Sequence, residues 1–179
     1  MTDTFTYRGV EYPYVPHDSE LAVVVPIMQT AIADATGEAA EVGTALGRRP
    51  RFRWQNLTLD STSGDYALLV SATGIQHAEH DPADIVANLR ARLASGGRLL
   101  LAAPLGFNND LDRFLNPAAC GADHVGYLAI QGDEWVEVDY RQARQYPYRK
   151  PSRGARAVAI AEWRAAEAVA DDSEEDDGE

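Results

Sequence analysis

The sequence predicts an α/β domain built on a mostly parallel sheet, and two observations carry that prediction. Tyr66-Ala67-Leu68-Leu69-Val70 and Leu99-Leu100-Leu101-Ala102-Ala103 are unbroken apolar runs of strand length, the pattern of a strand covered on both faces. A strongly signalled helix lies between them, so residues 66–103 form a β-α-β crossover. A length of 179 residues suits one domain with its own apolar core.

Taken in order, residues 5–15 are rich in aromatics, with Pro13 among them and Pro16 just after. This predicts an extended lid, residues 1–18, lying across the core. Ser19 is placed as an N-cap for a helix whose apolar positions Leu21, Val24, Val25, Met28 and Ile32 recur at threes and fours, with Gly37 as its stop. Pro26 either kinks that helix or moves its start to about residue 25. Residues 39–43 read as a short strand, residues 48–53 as a basic connection, and residues 52–59 as a weak strand. Asp81-Pro82-Ala83-Asp84 supplies a cap, a first-turn proline and an acidic third position. Ile85, Leu89 and Leu93 then repeat every four residues until Gly96-Gly97, where the helix is expected to end. Residues 104–109 form a loop and residues 112–115 a short helix. Residues 126–130 and 135–140 flank Gln131-Gly132-Asp133 as a hairpin. Residues 155–163 close the domain, residues 19–166, as a strand or a helix.

Net charge is −12, and seven acidic residues of the last nine, Asp171 to Glu179, supply more than half of it. Residues 167–179 therefore read as a disordered, solvating acidic tail. A field of this sign argues against nucleic acid and against an anionic membrane surface as partners. No apolar stretch approaches the roughly 18 residues of a membrane span. The first 14 residues lack a basic start followed by an apolar run, so a cytoplasmic location is expected. Cys120 is the sole cysteine, which excludes an internal disulfide and reads as a small buried hydrophobe.

Ligands of open α/β sheets bind beyond the carboxyl ends of the strands. Residues 41–44, 71–81 and 105–112 should therefore share one rim. Within it, Gln76-His77-Ala78-Glu79-His80-Asp81 packs two imidazoles and two carboxylates into six residues. His77, and after it His80, are the candidate catalytic bases, since imidazole suits proton transfer near neutral pH. The plainer alternative packs His77 against the sheet and leaves Asp81 to cap the helix. A metal reading has His77, His80 and a carboxylate converge on a divalent ion, with Asp123 or His124 as a further ligand from a distant loop, although the spacing matches no known ligand motif. Asn108, Asn109 and Asp112 suit a hydroxyl-rich substrate or, equally, simple turn chemistry. Arg48, Arg49, Arg51 and Arg53 either clamp an anion or form a solvated face.

Several segments, read together, resemble small class I S-adenosylmethionine-dependent methyltransferase-like proteins over residues 10–163. They are Val24-Val25-Pro26-Ile27, Ala40-Glu41-Val42-Gly43-Thr44-Ala45-Leu46, Ser71 through Gln76-His77, Leu93-Ala94-Ser95-Gly96-Gly97-Arg98-Leu99, the loop Pro104-Leu105-Gly106-Phe107-Asn108-Asn109-Asp110-Leu111-Asp112, and Glu134-Trp135-Val136-Glu137-Val138. The resemblance implies a shortened Rossmann-like methyltransferase fold with a C-terminal antiparallel hairpin. It implies S-adenosylmethionine as cofactor, held by Glu41, Gly43, Asp60, Ser71 and Gln76. A small polar metabolite of natural-product or glycan biosynthesis would meet Asn108, Asn109 and Asp112. Gln76 stands where the family has glutamate, Ala22 and Val24 replace a charged pair, and residues 46–65 are few for a helix, a second strand and a loop. These departures support a second expectation from another class: a cofactor-free relative that is a partner subunit of another biosynthetic protein, forms a homo-oligomer, or has its pocket turned to another reaction.

Overall fold

A computed structural model describes residues 3–17, 19–43, 66–146 and 154–168. The basic connection, the strand expected at 52–59, Asp60 and nearly all of the acidic tail lie outside the described residues.

The N-terminal segment is a hairpin rather than a single extended strap. Strands β1 (Thr4–Tyr7) and β2 (Val10–Pro13) pair antiparallel around Arg8-Gly9. Both turn residues have positive φ, 51° and 75°, as a tight right-twisted hairpin requires. Helix α1 (Leu21–Asp34) then runs through Pro26 without stopping. A proline has no N–H for the carbonyl four residues back; here that carbonyl, of Ala22, accepts from Val15 N–H at 3.2 Å. The defect in the helix thus becomes the anchor of the strap that leads into it.

The rest of the described chain builds one mixed sheet. Its strands are β3 (Ala39–Glu41), β4 (Tyr66–Ser71), β5 (Leu93–Pro104), β6 (His124–Gln131), β7 (Glu134–Val138) and β8 (Ala157–Arg164). In space they are ordered β3-β4-β5-β8-β6-β7. The β3–β4 and β4–β5 ladders are parallel, as the crossover predicted; the other three ladders are antiparallel. The sheet is therefore mixed, because β8 runs back between β5 and β6 instead of extending the parallel half. The expected hairpin at 126–140 is β6–β7, and the ambiguous segment at 155–163 is a strand buried along nearly its whole length.

Helix α2 (Pro82–Arg90) links β4 to β5, with Asp81 Oδ1 accepting from Ala83 N–H at 2.8 Å as its cap. It ends six residues before the expected Gly96, and Leu93 already belongs to β5. The glycines act inside that strand. A Cβ on Gly97 would lie 2.6 Å from the Tyr66 carbonyl oxygen, so only a bare backbone permits the register shift by which Tyr66 faces Leu93 and Leu68 faces Arg98. Helices α3 (Asn109–Phe114) and α4 (Tyr140–Ala143) complete the structure.

Two apolar layers hold the sheet. On one face Leu69, Leu99, Leu101 and Trp163 pack with Ile85 and Leu89 of α2 and Leu111 of α3. On the other, Val70, Leu100 and Ile160 pack with Val23, Ile27 and Met28 of α1 and with Phe5 and Tyr7 of the hairpin. The Tyr7 ring lies directly over Gly126, where a Cβ would meet its oxygen at 2.5 Å. No helix among the described residues is long and apolar enough to cross a membrane.

Candidate functional site

The three parallel strands deliver Glu41, Ser71 and Pro104 to one edge. Glu41 lies opposite Val70, and the next residue binds back to it, Val42 N–H to Val70 C=O at 2.8 Å. The Glu41 residue is buried, and Gly43 follows at φ 95°, a conformation that favours glycine. Ser71 is fully buried, and its hydroxyl has no hydrogen-bond partner among the described residues. Strand alternation places Glu41 on the α1 face with Val70, and Ser71 on the α2 face with Leu69. Glu41 and Ser71, two of the five expected cofactor residues, share the edge but flank the sheet.

Beyond β4 the chain turns through Gly74, at φ 117°, into a single 3-10 turn, Ile75–His77. Ile75 is buried and pins the turn. Gln76 Oε1 accepts from Gly74 N–H at 2.8 Å, so this side chain locks the loop. His77 is exposed and meets the ring of Phe107 edge-on, at 4.9 Å between centroids and 73° between planes. The histidine expected either as base or as sheet packing thus rests on an exposed phenylalanine from the neighbouring loop. His80 is also exposed.

The loop after β5 is braced by its own polar residues. Asn108 Oδ1 accepts from Asp110 and Leu111 N–H at 3.0 and 3.2 Å and caps α3, and Asn109 is exposed at the first turn. Asp112 is 2% exposed; one oxygen accepts from Gly106 N–H at 3.0 Å, and the other has no hydrogen-bond partner among the described residues. Burial pushes this carboxyl above the usual carboxylate range, against the opposing Gly106 bond and the Arg144 charge. Tyr140 donates to the Asp112 carbonyl at 3.0 Å, tying α4 to the loop. Phe107 and Tyr140 were not among the expected site residues. Phe107 had a signal, since a large apolar residue between glycine and asparagine in a loop has no core position to fill.

The metal reading does not assemble. His77 follows the carboxyl end of β4, whereas His124 opens β6 at the opposite edge, facing Glu162 and Tyr7. Among the described residues no group of three or more His, Cys, Asp or Glu side chains is placed to hold a metal ion. Cys120 is buried, and its carbonyl accepts from Trp163 Nε1 at 3.1 Å. Comparison with protein-family models, with curated proteins and with solved structures found no match in any of the three.

Proposed function

We propose that this chain is a shortened, Rossmann-like methyltransferase that binds S-adenosylmethionine at the carboxyl edge of β3 and β4. In this reading it methylates a small polar metabolite of natural-product or glycan biosynthesis in the cytoplasm. The observation that carries the reading is the carboxyl edge of β3 and β4, where buried Glu41 is followed by the left-handed Gly43 and where the buried Ser71 hydroxyl, on the opposite face of the sheet, has no hydrogen-bond partner among the described residues. Polar groups sunk at the carboxyl end of parallel strands fit the amino-acid end of that cofactor. The co-directed β3, β4, β5 and β6, with antiparallel strands added from the C-terminal part, support the same reading.

Glu41 and Gly43 would hold the cofactor, with Asp60 as the expected ribose partner outside the described residues. When bound, the cofactor supplies an electrophilic methyl group. His77, held edge-on by Phe107 at the open rim, takes the proton from the attacking hydroxyl or amine. Asn109 presents an exposed amide to the substrate, and the rim acts mainly by alignment.

One observation favours the second reading, a cofactor-free relative that serves as a partner subunit, self-associates, or has a pocket turned to another reaction. Gln76 stands at the family's glutamate position, and its side-chain oxygen is engaged by Gly74 N–H. Calorimetric titration with S-adenosylmethionine and S-adenosylhomocysteine separates the two. A Kd on the order of micromolar, lost in Gly43→Asp, is the result expected of the transferase. Absence of binding at about millimolar ligand by the folded protein would leave the partner-subunit reading.

A further inference from the structure

Glu162 interrupts an otherwise apolar run, residues 157–163, in the strand Ala157–Arg164, and is buried. A buried carboxylate needs a partner, and this one has three. Arg8 Nη1 lies 3.0 Å from Oε2, Arg164 Nε 3.0 Å from Oε1 and Arg98 Nη1 3.4 Å from Oε1. A single guanidinium would neutralise the charge, and Arg164 is supplied by the same strand. Arg8 arrives from the hairpin turn and Arg98 from β5, each giving Glu162 one of the five donors that a guanidinium carries. Their remaining donors make no hydrogen bond among the described residues. The two side chains keep 46% and 29% of their surface exposed.

Both arginines line a cavity of about 310 Å³ between the hairpin, α1 and the sheet, with Glu162 at its wall and Tyr12, Thr30 and Asp34 also lining it. A volume of that size is at the small end of ligand sites. Two guanidiniums fixed by one buried carboxylate form a prearranged fork for a planar or tetrahedral oxyanion. Asp34 and the hydroxyls of Thr30 and Tyr12 offer acceptors to an amine or hydroxyl elsewhere on the same ligand. We propose that this cavity binds a small metabolite through its carboxylate or phosphate group, held by Arg8 and Arg98. Arg98 lies six residues before Pro104 along β5, or about 20 Å at strand rise. The cavity is therefore separate from the rim, and the proposal does not depend on methyl transfer.

The test is an NMR titration of the full chain with inorganic phosphate and, separately, benzoate at constant ionic strength, following the arginine Nε–H signals and, in every variant, the backbone amides of Tyr12, Thr30 and Leu100, which line the cavity. At least one probe should give saturable shifts at Arg8 and Arg98 with a Kd in the low millimolar range, and the tighter probe distinguishes a phosphate site from a carboxylate site. Affinity should fall at least tenfold in Arg8→Gln and Arg98→Gln, and stay within twofold in Arg164→Gln, which does not line the cavity. Asp34→Asn leaves every Glu162 contact in place and removes a repelling charge, so it should tighten binding about twofold. No saturable shift from either probe up to about 50 mM, or shifts that persist in the Arg8→Gln/Arg98→Gln double variant, would overturn the proposal.

Discussion

Val15 N–H donates to the Ala22 carbonyl at 3.2 Å, the acceptor that Pro26 leaves unclaimed inside α1. A helix defect and the entry of the strap are one feature. In Pro26→Ala a new N–H competes for the same oxygen, so the Val15 amide should exchange with solvent several-fold faster while α1 itself gains protection. Unchanged exchange at Val15 would show that the strap is held by other contacts.

One backbone donor on the edge of β7 is capped by a side chain. Trp135 N–H donates to the Tyr14 hydroxyl at 3.0 Å, which leaves one fewer open donor for another chain to pair with, and the Glu137 side chain reaches the hairpin turn, its Oε1 accepting from Arg8 N–H at 2.5 Å. Tyr14→Phe should cost about 1 kcal/mol and lower Tm by about 2–4 °C. Its specific mark is faster exchange of the Trp135 amide.

Two glycines should respond differently to the same methyl group. At Gly126 the obstacle is the Tyr7 ring, a side chain that can move, so Gly126→Ala should cost about 1–3 kcal/mol. Combining it with Tyr7→Leu should give a loss smaller than the sum of the two. At Gly97 the obstacles are the Tyr66 and Ala94 carbonyl oxygens, 2.6 and 2.9 Å away, and Gly97→Ala should cost about 3 kcal/mol or more with no side-chain rescue. Denaturant unfolding of the variants reads both.

Asp112 makes stability depend on pH. Its folded-state carboxyl is raised, burial being the first cause, so its contribution is fully present below the unfolded-chain value of about 4 and is lost as pH rises through the folded value. Asp112→Asn keeps an oxygen for the Gly106 N–H without the charge. Its Tm relative to the parent should climb as pH increases from about 4 towards neutrality, and a flat difference would count against a buried, raised carboxyl.

The crossover at 66–103 was legible because buried parallel strands leave unbroken apolar runs. The end of its helix was not. Leu93 continues the spacing of Ile85 and Leu89 and packs in the same layer with them, so periodicity reads the same whether the chain has left the helix or not. The decisive fact, backbone contact between Gly97 and Tyr66, is a tertiary one. Arg8-Gly9 carries a turn signal that the surrounding aromatics mask. The rim grouping of 41–44, 71–81 and 105–112 followed from topology, but the separation of Glu41 and Ser71 onto opposite faces depends on register, which apolar runs do not encode. Arg8, Arg98 and Glu162 are far apart in sequence and meet only through the return of β8.

That return has a consequence for how the protein is made. Of the described strands, the one that joins the two halves of the sheet comes latest in chain order and so leaves the ribosome after the others. Until Ala157–Arg164 has emerged, β5 and β6 each have an apolar edge without its partner, and the gap between them is one strand wide. A nascent chain in that state is open to pairing with its neighbours, and it is safe from them only once β8 has been inserted.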